Sequence, residues 1–309
     1  MLEKERPQIV SVAPRWLDAH YPMVMACAEY GCHVLLEKPM AQDLRQANEM
    51  IAAFEAKHLK MAVAHQARHS PRIARVRELI ADGKLGDLLE IRGRGKEDHR
   101  GGGEDLIVLG THIMDLMRLL AGPARWCFAR VLEKGEPITA ADVREGGEAV
   151  GPIAGDEIHA TYGFRSPTIG SFDTYRAREH AGQRWGLRLF GSKGMITISN
   201  GAMPSFPEVH FIEDPAWAPG QGKAEWIPIT GGGLGKPETA PEVSPQTPGN
   251  ILIVKDLLRA IETDTQPNGG MYDARASLEM ILATYESQRV NAPVALPLGT
   301  REHPLRLLK

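Results

Sequence analysis

The stretch Val34-Leu35-Leu36-Glu37-Lys38-Pro39-Met40 decides the fold class of this chain. A short apolar run ends in Glu-Lys-Pro, and proline, lacking an N–H, stops strand pairing. A lysine therefore stands at the carboxyl end of a strand, where open α/β sheets place ligand chemistry. Working outward, residues 8–13 read as a buried strand stopped by Pro14, and residues 61–64 as a third short strand. A helix over residues 18–30 has Pro22 in its first turn and Gly31 as a left-handed stop. A second helix is capped by Asp43, with Gln46 three residues on as a capping box. Leu44, Ala47, Ile51 and Phe54 follow at helical spacing. Strands separated by helices of this length predict right-handed crossovers and a parallel sheet.

From Ser70 the pattern changes. Ser70-Pro71 reads as a cap with proline at the first helical position, and Gly83 as the stop of that helix. Residues 88–93 alternate as a strand. Gly101-Gly102-Gly103 leads into a helix over 104–120, striped by Leu106, Leu109, Ile113, Leu116 and Leu120. Strand-like runs follow at 158–164, 169–175, 185–190, 195–199 and 209–212, without helices between them, which predicts an antiparallel sheet. Residues 201–248 are rich in Gly and Pro and read as a long surface excursion, and helices over 250–263 and 274–290 close the chain. The expected fold is α/β plus α+β. Residues 1–66 form part of a doubly wound parallel (Rossmann) domain, and residues 67–309 an α+β domain with a large open, mainly antiparallel sheet.

At 309 residues the chain suits one large or two unequal domains. Its 43% hydrophobic and 24% charged residues are those of an ordinary soluble protein. A formal charge of -3 gives no reason to invoke nucleic acid or an anionic membrane, and no apolar run approaches the ~20 residues that span a bilayer. Cys27, Cys32 and Cys127 form no Cys-x-x-Cys pair, so reduced, mostly buried thiols and a cytoplasmic location are expected.

Three features occur in a telling order: the Glu-Lys-Pro turn, the turn Gly83-Lys84-Leu85-Gly86 before a strand, and Gly110-Thr111-His112-Ile113-Met114-Asp115 on a helix. With Pro14 and His20, Leu189-Phe190-Gly191-Ser192-Lys193-Gly194, Tyr285-Glu286-Ser287 and Val294-Ala295-Leu296-Pro297, this order resembles the glucose–fructose oxidoreductase / inositol dehydrogenase / MocA family. The resemblance implies an NAD(P)-dependent oxidoreductase acting on a secondary alcohol of a sugar, polyol or glycoside. It also implies a homo-oligomer built through the open sheet.

Carried over residue by residue, the resemblance makes Lys38 and His112 catalytic. Lys38 would lie near the nicotinamide and share in proton transfer as hydride leaves the same carbon. Glu37, Lys38, Pro39, Pro14 and His20 become the cofactor-binding residues. Gln66, Arg68, Asp115 and His99 become substrate-binding, with Asp115, one turn beyond His112, also able to orient it. His69 follows Gln66 and Arg68 as a further polar residue. Where the family often has aspartate one turn before His112, this chain has Val108, which cannot raise the basicity of a histidine. Asp105 lies two turns from His112, ~10 Å, too far to replace it. The run Lys96-Glu97-Asp98-His99-Arg100 reads as a solvated charge cluster rather than a metal site, and no metal is expected.

No Gly-x-Gly-x-x-Gly occurs in the 309 residues, and the glycine runs at 101–103 and 231–235 lack phosphate-loop spacing. In the family that fingerprint lies on the first strand–helix turn. One strand–helix–strand unit takes ~30 residues, so roughly 60 are expected to be missing from the start, with an export signal there left open. The strand over 8–13 would then be an exposed apolar edge, leaving the chain poorly stable alone or hiding that edge in an oligomer. NAD versus NADP stays open. So do two other functions: transient oxidation followed by elimination from a glycoside, for which Val108 and the 97–99 cluster leave room, and non-catalytic binding or assembly.

Overall fold

The computed structural model describes residues 1–176, 184–201, 207–220, 222, 224–239 and 247–309. After one helical turn at Leu2–Glu5, the three apolar runs form β1 (Ile9–Val12), β2 (His33–Leu36) and β3 (Met61–Val63), parallel and in that order. The crossovers are α1 (His20–Glu29), entered through a 3₁₀ turn at Leu17–Ala19, and α2 (Leu44–Glu55). Asp43 caps α2 by accepting from Gln46 N at 2.9 Å. The box closes one residue early, because the Gln46 side-chain carbonyl accepts from Gln42 N at 3.1 Å. β1 is the expected edge, with Val12 buried and Ile9 and Val10 half-buried.

Helix α3 (Pro71–Ala81) starts at its proline. Ser70 makes no capping bond, and its buried hydroxyl has no partner. Next come β4 (Leu88–Arg94), α4 (Gly103–Val108) and α5 (Gly110–Ala121). The single helix expected over 104–120 is therefore broken at Leu109.

Apart from a small antiparallel pair at Arg144–Glu145 and Pro152–Ile153, the later strands are β5 (Ala124–Glu133), β6 (Glu157–Phe164), β7 (Ile169–Tyr175), β8 (Gly186–Gly191), β9 (Met195–Ser199), β10 (Glu208–Ile212), β11 (Ile227–Thr230), β12 (Gly233–Leu234) and β13 (Val294–Ala295). They join β4 in an eleven-stranded sheet of order β12-β11-β10-β9-β8-β4-β7-β6-β5-β13, with Glu136–Pro137 pairing beside β5. Every neighbouring pair on that path is antiparallel except β4 with β7. β5 escaped the sequence reading because Arg125 and Arg130 interrupt its apolar run, although Cys127, Ala129 and Val131 point inward. Residues 202–206, 221, 223 and 240–246 of the expected excursion lie outside the described residues.

Two long helices close the molecule. α6 (Thr247–Glu262) lays Ile253 and Leu257 against Ala62 and Ala64 of the parallel sheet and its edge. α7 (Met271–Val290) packs on α5 and β5, where Ser287 and Gln288 accept the N–H groups of Ala129 and Val131 at 2.9 Å each. On the large sheet, Phe128 and Ile169 stand exposed. The two glycine turns of the sequence meet: Ser192 Oγ accepts from Asp87 N at 2.9 Å, and Lys193 Nζ donates to Gly83 O at 3.0 Å. A side chain at Gly86 would strike Ser192, which is why this turn takes glycine at φ +76. All three cysteines are buried and unpaired, and no described helix is long and apolar enough to cross a membrane.

Candidate active site

The carboxyl ends of the parallel strands meet the break between α4 and α5. β2 hands Lys38 to this junction, and its Nζ donates to the carbonyl of Val108 at 3.0 Å. That acceptor is available because the helix is interrupted: the His112 N–H bonds to Leu109 O at 3.2 Å instead of reaching back four residues to Val108. Burial holds the Lys38 ammonium below the ordinary lysine range, opposed by the carboxylates of Glu37 and Glu148.

His112 is buried one turn into α5. Its ring meets His65 edge-on at 5.7 Å and Trp185 at 5.9 Å. Burial, with Lys38 and His65 nearby, holds it well below the usual histidine range, so it is neutral near pH 7. Its Nδ1 has no hydrogen-bond partner. The Lys96 ammonium lies 5.4 Å over the Trp185 ring and completes this wall.

Asp115 does not orient His112. Both its oxygens accept from Arg68, at 2.7 and 2.9 Å, in the fork geometry that suits a guanidinium. The third Arg68 nitrogen reaches Asp273 at 2.8 Å and Asn268 at 3.1 Å. Asp115 instead faces His65 Nδ1 at 3.7 Å, and His65 Nε2 lies 2.9 Å from the Thr111 hydroxyl. Burial pushes His65 below the ordinary histidine value, with Asp115 working in the opposite direction.

The other expected site residues separate into two groups. Glu37, Pro39 and Gln66 lie at the strand ends, and the buried Gln66 Oε1 has no partner. The His20 ring spans the carbonyl oxygens of Pro14 and Pro39 at 3.0 Å each, stapling β1 to the turn after β2. His99 stands at the surface with its side chain 84% exposed, beside Asp98. Its neighbours are occupied: Glu97 pairs with Arg94 and Arg184, and Asp98 with Arg100. Among the described residues no group of three or more His, Cys, Asp or Glu side chains is arranged to hold a metal.

Asp105 makes its hydrogen bonds elsewhere than to His112. It organises the 95–97 loop, accepting from the N–H groups of Lys96 and Glu97 at 3.2 and 3.1 Å and from Thr174 Oγ1 at 2.5 Å. Residue 95 must be glycine here, because a Cβ would come within 2.1 Å of Asp105. His65, Thr111 and Trp185 join this cluster without having been given a role from the sequence, and Lys96 entered there only as part of the 96–100 charge run. His65 had one available signal, its place directly after the third strand; Trp185 arrives from the distant β8 end, which no local pattern reveals.

Comparison with known proteins follows this geometry. Residues 1–65 match the model of an oxidoreductase family with an NAD-binding Rossmann fold, and residues 73–197 match the GFO/IDH/MocA C-terminal domain, together more than half of the chain. Levoglucosan dehydrogenase of Pseudarthrobacter phenanthrenivorans is 25% identical over 204 residues, 58% of this chain and 52% of that protein. The NADP-dependent scyllo-inositol 2-dehydrogenase of Bacillus subtilis is 28% identical over 128 residues, 38% of this chain and 36% of its own length. The chain thus spans about half or less of the curated relatives it matches. A solved levoglucosan dehydrogenase, in complex with NADH and levoglucosan, shares the fold with a TM-score of 0.72 at 20% identity, covering 94% of this chain and 80% of that one.

The strand-end residues fit the nicotinamide end of the dinucleotide that this family model implies. Polar atoms of His65, Gln66 and His112 are buried there without partners, and such atoms call for a polar ligand or water.

Proposed function

Because this chain belongs to the GFO/IDH/MocA oxidoreductase family, we propose that it oxidises a secondary alcohol of a sugar, polyol or glycoside, with NAD or NADP as hydride acceptor. The observation that carries this reading is half-buried Lys38, anchored on Val108 O at the end of a parallel strand. It stands close enough to buried His112 to act on its charge, with burial favouring the neutral form of each. When bound, the dinucleotide supplies the hydride acceptor. Burial favours release of the Lys38 ammonium proton to solvent, and the neutral amine then takes up the hydroxyl proton of the reacting carbon. Neutral His112 accepts a hydrogen bond from the same hydroxyl or its neighbour and so fixes the alcohol's orientation. The unpartnered Gln66 carbonyl receives a further substrate hydroxyl. Arg68 and Asp115 hold His65, and through it the wall behind His112.

Elimination gains no residue from the cluster that left room for it, since Glu97 and Asp98 are tied into ion pairs and His99 faces solvent. We also propose that a second copy covers Phe128 and Ile169 on the large sheet; a Phe128→Glu variant that sediments unchanged would refute that.

The test is reduction of NAD and NADP by the purified chain with levoglucosan, scyllo-inositol and a panel of free and glycosidic polyols, with products identified. Oxidised product formed by the wild type and lost in Lys38→Met supports the reading. Reduction that survives Lys38→Met, or no reduction with any polyol, overturns it.

A further inference from the structure

A cavity lies at the opposite end of α5 from His112. Its volume is about 320 Å³, and it is bounded by the end of α5, the start of β5, α7 and the turn at Leu296-Pro297. Arg118 lies six residues after His112, ~9 Å along the helix axis, and none of the candidate active-site residues lines this cavity.

The charges around this cavity do not balance. Arg118, Arg125 and Arg165 all line it, and Glu279 is the one carboxylate among the described lining residues. Glu279 is already spent: Arg275 binds it at 2.8 Å, and its other oxygen accepts from Leu298 N at 3.0 Å. Among the described residues Arg118 has no close ion-pair contact, although Asp273, Asp115 and Glu279 all favour its charge from a distance. It sits 3.7 Å from Asp273, which makes a closer 2.8 Å bond to Arg68. Its Nε is buried without a partner, and burial pulls the guanidinium below its usual range. The Arg125 and Arg165 side chains make no hydrogen bond or ion pair with the described residues.

Surface arginines scattered singly would mean little. Three converging on one concavity, one of them with an orphaned buried N–H, is the arrangement that recognises an oxyanion, since a planar guanidinium offers paired donors to phosphate or carboxylate. Met280, Leu296 and Pro297 line the same cavity and offer apolar contact to a carbon skeleton. The volume sits at the small end of ligand pockets, roughly 300–1,000 Å³. We propose that this cavity is a binding site for a compact organic anion, a phosphate ester or polycarboxylate, held by Arg118, Arg125 and Arg165. The site stands apart from the oxidoreductase reading, because none of the residues given a role there lines it.

The test is isothermal titration of the full chain with inorganic phosphate and, separately, with citrate, at fixed ionic strength. The comparison variant is Arg125→Gln/Arg165→Gln, whose exposed side chains the fold does not use. Saturable 1:1 binding that weakens at least tenfold in the double variant supports the site. Phosphate alone then points to a phosphate ester, and citrate alone to a carboxylate. Heats of dilution only for both anions, or binding of equal strength in the double variant, overturn it.

Discussion

Helix α5 carries two buried polar residues one turn apart, with opposite fates. Asp115 has both oxygens filled by Arg68, whereas His112 keeps a ring nitrogen with no partner at all. Both residues bear the desolvation cost of burial, yet only one has it offset inside the protein. The difference separates scaffold from chemistry. A saturated pair fixes the helix against the chain after β3, and the unsaturated ring is the one to which the proposed function assigns a substrate hydroxyl.

Four measurements probe that contrast. Lys38→Met should lower kcat by ~10²–10⁴-fold, the range for losing a positioned proton acceptor, while the melting temperature holds or rises. A large fall in melting temperature would move Lys38 to the scaffold side. Asp115→Ala should cost about 2–3 kcal/mol of stability in urea titrations, because buried Arg68 loses its two-oxygen partner and keeps only part-exposed Asp273 as an ion-pair partner; Arg68→Met/Asp115→Leu should recover much of it. If Asp115→Ala left stability unchanged while abolishing turnover, the division drawn here would be wrong.

The third measurement is pH. Below about 6.5 the unfolded chain binds a proton at each histidine, while buried His65 and His112 stay neutral in the fold to lower pH. The unfolded state therefore binds more protons, and stability falls as pH drops below about 6.5, by up to ~1.4 kcal/mol per unit for each ring. His65→Phe/His112→Phe should reduce that slope, leaving the share carried by His33, His69 and His303, which burial also holds below the ordinary value; an unchanged slope would assign all of the acid sensitivity to other groups. The smallest effect is Ser70→Ala, which removes an orphaned hydroxyl outside the site and should alter stability by no more than about 0.5 kcal/mol, in either direction. A loss above 1 kcal/mol would mean that an unseen partner holds Ser70.

Much of the frame was legible. Apolar runs punctuated by Pro14, Gly31 and Pro39 locate the parallel strands within a residue or two, because hydrophobic burial and proline's missing N–H act locally. The placing of Lys38 just after a parallel strand and of His112 on a helix followed from the same local signals. What escaped depends on contacts between distant segments. Asp115 was read from its spacing to His112, which says nothing of an arginine 47 residues earlier that takes both its oxygens. His99 looked like a pocket residue because polarity alone does not tell which way a loop turns. The helix over 104–120 looked continuous because its apolar stripe runs straight through the break at Leu109.

That break has a last consequence for how the site tolerates change. Position 108, where the family pattern calls for aspartate and this chain has valine, meets Lys38 through its main-chain oxygen. Every amino acid carries that oxygen, so the lysine's anchor is indifferent to which residue occupies the position. On the proposed function, a change of side chain at residue 108 would alter the pocket while leaving the lysine's main-chain anchor in place.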